Sequence, residues 1–141
     1  MNSGISLIDT LVALTLLGSL ALVSAPTLSD LQRSRTLRSE TEELRLFLEQ
    51  LALNALQREE RYSLDFTSTS IAVNIASGPH AGTVPSKRPL KSPITVVSPL
   101  GLNQLAFHSS GAASPATISL TDGKQYCSLY VSLRGRVRSQ C

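Results

Sequence analysis

Residues 4–26 decide the reading: Gly4-Ile5-Ser6-Leu7-Ile8-Asp9-Thr10, then LVALTLLGSLALVSAP from Leu11 to Pro26. No charged residue occurs from Thr10 to Ser29. About twenty residues of α-helix span roughly 30 Å, the thickness of a bilayer's hydrocarbon core. Thr10, Thr15, Ser19 and Ser24 can return their hydroxyls to the helix backbone, so they do not exclude a membrane span. Gly18 and Pro26 are weak points in such a helix, and membranes tolerate both. A secretory signal peptide is the rival reading and fits poorly. The leader, residues 1–4, has no Lys or Arg, and the apolar run continues straight into a charged amphipathic segment. Asp9 is a lone carboxylate at the front edge of this helix. Ionisation there is costly unless the group is paired or hydrated, although the helix dipole also favours an acid in the first turn.

Beyond Ser29 the pattern changes without a break. Leu44, Leu48, Leu51 and Ala55 recur at helical spacing, with Leu37 and Phe47 near the same stripe. Arg38, Glu42, Glu43, Gln50, Arg58 and Glu59 populate the rest, and no Gly or Pro interrupts the segment to Arg61. The spacing predicts one long helix, apolar all round over residues 5–28 and amphipathic over 29–61. The heptads are too few and irregular for a coiled coil.

The remainder, residues 62–141, reads as a β-rich head. Short β-like runs cover Tyr62–Thr67, Ser70–Ile75, Ile94–Val97, Gln104–His108, Ala116–Leu120, Tyr126–Ser132 and Arg136–Gln140. Gly78–Pro93 is rich in Pro, Gly and Lys and reads as an exposed loop. A long helix followed by antiparallel strands is an α+β order. With no Trp and few aromatics, the core must come mainly from Leu, Ile, Val and Ala.

Charge and cysteines are unevenly placed. The net charge is +3, yet beyond Asp65 seven basic residues face one acid, Asp122. Such an excess attracts polyanions or anionic membrane surfaces, or simply solubilises the head. Cys127 and Cys141 have no histidine near in sequence, so the pair reads as a disulfide and not as a metal site.

The last hairpin has one self-consistent register. A two-residue turn at Arg134-Gly135 would put Val131 and Arg138 on one face. A three-residue loop, Leu133-Arg134-Gly135, places Gly135 in the left-handed position that such loops favour. Val131 then faces Val137, Leu129 faces Ser139, Tyr130 faces Arg138, and Cys127 falls opposite Cys141. The bridge would fix the C-terminus, with Arg136 and Arg138 on the polar face and Arg134 at the tip.

The segment Gly4-Ile5-Ser6-Leu7-Ile8-Asp9 before an apolar helix resembles the class III signal of type IV pilins and type II secretion pseudopilins. Asp9 stands where that pattern has Glu, and the usual basic residue of the leader is missing. Gly135-Arg136-Val137-Arg138 before a terminal Cys resembles the tail of the GspH/FimT group of minor pseudopilins and minor pilins. The resemblance implies a pilin-like fold: a long N-terminal helix, half transmembrane and half amphipathic, packed on an antiparallel sheet. It implies cleavage after Gly4 by a prepilin peptidase, N-methylation of Ile5, and pairing of Asp9 with a neighbouring subunit's terminal amine during filament assembly. It implies a single-pass inner-membrane protein with a periplasmic head. Arg33, Arg35 and Arg38, read alone by the positive-inside rule, would put the head in the cytoplasm; the leader and the cysteine pair outweigh them.

Two functions follow from the resemblance. One is a structural subunit of a type II secretion pseudopilus or type IV pilus, with other pilins as partners. The other is capture of DNA without sequence preference, through Arg134, Arg136 and Arg138, with Lys124 or the Lys87–Lys91 loop extending the patch. An enzyme is the poorest fit. His80 and His108 flank no nucleophile or carboxylate cluster, and no motif calls for a cofactor or metal.

Overall fold

Helix α1 runs from Leu7 to Arg58 without interruption at Gly18 or Pro26. The structure, a computed structural model, describes residues 7–82, 86–91, 94–97 and 105–141, with only the backbone over 19–28. The chain divides after Arg33 into two units, and Ser34–Cys141 is the larger.

In the first unit Thr10 and Thr15 donate their hydroxyls to the carbonyls of Leu7 and Val12, as expected. Leu7, Ile8, Leu11, Val12, Leu14 and Leu17 are all exposed. A helix apolar on every side belongs in a core or a bilayer, not in water. Among the described residues no helix is long and apolar enough to cross a membrane. The span expected over 5–28 lies only partly among them, because residues 5 and 6 and the side chains of 19–28 fall outside.

In the second unit the amphipathic stripe is buried as its spacing demands. Leu37, Leu44, Leu48, Leu51 and Ala55 join one cluster with residues of both sheets. Thr41, buried on the same stripe, satisfies its hydroxyl on the carbonyl of Leu37. Fully burying a leucine is worth about 2 kcal/mol, so this stripe anchors the sheets on the helix.

Eight strands follow: β1 Arg61–Phe66, β2 Ser70–Ser77, β3 Ser86–Pro89, β4 Thr95–Val97, β5 Leu105–Phe107, β6 Ala116–Thr121, β7 Tyr126–Val131 and β8 Val137–Gln140. They form two four-stranded antiparallel sheets, ordered β3-β2-β1-β5 and β4-β6-β7-β8. Alternation directs Leu64, Leu105, Ile118, Leu120, Leu129 and Val131 into the shared core.

The antiparallel head expected on the helix is there, folded as two sheets. Two expectations need correction. The helix stops at Arg58 instead of reaching Arg61, because Glu59 turns left-handed (φ 55°) and the Glu60 amide donates to the carbonyl of Ala55. That six-to-one bond is a Schellman ending. Finally, the segment read as a loop over 78–93 contains β3, which pairs with β2 through Ser70↔Pro89, Ile71↔Arg88 and Ala72↔Lys87. Its proline is tolerated because β3 is an edge strand.

Candidate interaction site at the C-terminal hairpin

The β7–β8 hairpin has the register its sequence demands. Val131 pairs with Val137, Tyr130 with Arg138, and Leu129 with Ser139. The Gly135 amide donates to the carbonyl of Ser132, and the Ser132 amide to the carbonyl of Arg136, both at 2.9 Å. Gly135 has φ 70°, the left-handed residue that closes a three-residue loop. Cys127 and Cys141 are joined in a disulfide.

Gly135 also lies at a close approach. A Cβ there would come 3.1 Å from the carbonyl oxygen of Gly111 and 3.7 Å from Cβ of Ala52. The carbonyl of Leu133 accepts from the amide of Ala113. The tip is thereby held against both α1 and the turn after β5, and its conformation is set by packing as well as by its own bonds.

The result is a cleft of about 580 Å³ between α1 and the hairpin. The helix contributes Ala52, Leu53 and Leu56, and the hairpin contributes Arg134, Arg136 and Arg138. All three arginines are exposed, and among the described residues none of them forms an ion pair. Arg136 and Arg138 also line a smaller cleft beside Tyr130. Glu49 borders the main cleft, but Arg45 holds it at 2.6 Å. Arg45 likewise bonds Glu42 at 2.6 Å and keeps that carboxyl below the ordinary carboxylate range.

The basic patch expected from sequence is not assembled whole. Lys124 lies in the turn before β7, and Arg134 in the turn after it. Six residues of strand put these turns roughly 20 Å apart. Of the Lys87–Lys91 segment, Arg88 and Lys91 are engaged elsewhere. Arg88 lies 3.4 Å from Glu40 and 3.3 Å from Glu43, over the ring of Phe47, and Lys91 lies 2.6 Å from Glu43. The hydrogen bond from Lys91 chiefly holds the Glu43 carboxyl below its usual range. These charges clamp β3 to the helix. Glu40, almost wholly buried, has its Oε2 3.4 Å from Lys91 Nζ but without hydrogen-bond alignment, so only the Coulomb attraction counts there.

A second cluster had no sequence signal. Glu60 is fully buried, accepts from the Tyr62 hydroxyl at 2.6 Å, and has Oε1 2.5 Å from Nδ1 of His80. His80, read as a loop or strand-edge residue, does lie in a turn after β2. Asp9 is exposed in the first turn of α1. Gly4 and Ile5 lie outside the described residues. Among the described residues no cluster of His, Cys, Asp or Glu could hold a metal ion.

The helix, the two sheets and the bridged hairpin together make the GspH/FimT-like minor pilin fold. The type IV minor pilin FimU of Pseudomonas aeruginosa superposes with a TM-score of 0.64 at 14% identity, over 79% of this chain and 92% of that one. The minor pseudopilin EpsH of the Vibrio cholerae type 2 secretion system superposes with a TM-score of 0.60 at 15% identity, over 74% of this chain and 95% of that one. No family model matches the chain, and no curated protein is similar to it in sequence.

Proposed function

We propose that this chain is a minor subunit of a type II secretion pseudopilus or a type IV pilus. In this reading α1 is drawn from the inner membrane into a filament core, and the head stays in the periplasm. A prepilin peptidase removes the leader after Gly4, and Ile5 becomes the methylated terminus. Asp9 then pairs with the terminal amine of a neighbouring subunit. A charge pair in a low-dielectric core favours one axial register, because an unpaired charge there is expensive.

The observation that carries this reading is the exposed first part of α1, attached to a head of minor-pilin fold. Leucines at 7, 11, 14 and 17 are uncovered in the single chain, and burial among neighbouring helices or lipid removes that cost. The test is incorporation of the chain and of Asp9→Ala into sheared filaments. Reduced recovery of the variant at equal expression supports the reading, and equal recovery counts against the role of Asp9.

A second reading rests on the three exposed arginines. Arg134, Arg136 and Arg138 would bind DNA phosphates, with affinity falling steeply as salt rises. A gel-shift comparing the chain with an Arg136→Gln, Arg138→Gln variant tests it. A salt-sensitive shift lost in the variant supports it; no shift removes it. Lys124 lies in the opposite turn, and Arg88 and Lys91 are paired with Glu40 and Glu43, so this reading rests on the three arginines.

A further inference from the structure

We propose that the cleft between α1 and the C-terminal hairpin binds an extended, acidic-apolar peptide segment of a partner protein. The segment would have carboxylates alternating with aliphatic or aromatic side chains. The inference does not depend on the filament reading.

Three features of the cleft carry it. The first is its floor. Leu53 and Leu56 are 58% and 53% exposed, on a helix whose opposite face is fully packed. Phosphates gain nothing from two leucines, whereas an apolar side chain laid on them loses water contact. The second is charge. The carboxylate on the rim, Glu49, is already held by Arg45, so the uncompensated charge facing the cleft is the positive charge of Arg134, Arg136 and Arg138. Guanidinium forks match carboxylates in bidentate geometry.

The third feature is the strand that forms the wall. Val137 and Arg138 of β8 line the cleft, and β8 is an edge strand of its sheet, paired only with β7. An extended segment can add to such an edge, with alternate side chains directed into a neighbouring groove. Carboxylates at every second position would meet the arginines, and the apolar residues between them would meet the leucines. The volume, about 580 Å³, lies within the usual range of ligand clefts, roughly 300–1,000 Å³. It admits a few side chains.

The experiment uses the full chain in a neutral maltoside detergent. Fluorescence anisotropy reads the binding of a short labelled peptide of alternating Asp and Leu, beside an Asp/Gly peptide of equal charge. The Asp/Leu peptide should bind saturably and about tenfold or more tighter than Asp/Gly, a difference of about 1.4 kcal/mol. Leu53→Ser with Leu56→Ser should abolish that preference. Arg136→Gln with Arg138→Gln should weaken both peptides. These side chains are exposed, so thermal unfolding should match the parent and rule out misfolding as the cause. No saturable binding of the Asp/Leu peptide would overturn the proposal. So would equal affinity for the two peptides, or indifference to the leucine substitutions; either result would leave only a site for polyanions in general, nucleic acid included.

Discussion

The fully buried carboxylate of Glu60 stands 2.5 Å from Nδ1 of the exposed His80, tying the end of α1 to the turn after β2. The hydrogen bond from Tyr62, then that from His80, holds this carboxyl below the ordinary carboxylate range. A group whose folded pKa is lowered contributes stability above its unfolded pKa and loses it as pH falls through the folded value. Wild-type protein should therefore lose stability on acidification through and below the carboxylate range. Glu60→Gln should be less stable at neutral pH and should lose less over that acid interval. Thermal melts across the interval read both effects, and parallel curves for the two proteins would refute the assignment.

Gly135→Ala should destabilise the head. The left-handed conformation costs a non-glycine residue roughly 1–2 kcal/mol, and the added methyl would lie 3.1 Å from the Gly111 carbonyl oxygen. Denaturant unfolding measures the loss. An unchanged midpoint would mean that the tip is not seated against α1 and Gly111 as described.

The Cys127–Cys141 bridge spans 14 positions. In the chain-entropy model a loop of that size is worth about 3 kcal/mol. Cys127→Ser with Cys141→Ser, or reduction of the parent, should lower stability by roughly that amount. The loss should be accompanied by faster amide exchange in β8, the edge strand that the bridge holds.

Glu59→Gly should act in the opposite direction. Glu59 is the one non-glycine residue with positive φ among those described. Glycine at this helix ending removes the strain but adds unfolded-state entropy. The net gain should be about 0.5–1 kcal/mol. A loss of stability would argue against the Schellman ending.

Legibility in the sequence followed the range of the interactions. The leucine stripe on α1 and the Val131–Val137 register depend on period and local turn chemistry, and both were readable. Strand β3 was hidden because Ser86-Lys87-Arg88-Pro89 has no apolar alternation. It is held by pairing with β2 and by Arg88 and Lys91 meeting Glu40 and Glu43, some 45 residues away or more. The arginine cluster of the hairpin was visible as a local motif. Its separation from Lys124 was not, since only the strand register fixes which turn lies at which end. Leu53 and Leu56 were unremarked because a helix pattern shows its buried stripe far better than what lies beside its other face.

The most direct measurement is the intact mass and thiol state of the chain, recovered from the membrane fraction after co-expression with a prepilin peptidase. The account predicts loss of residues 1–4, one methyl group on Ile5, and an oxidised Cys127–Cys141 pair. A full-length, unmethylated chain recovered from the cytosol with both thiols reduced would contradict it.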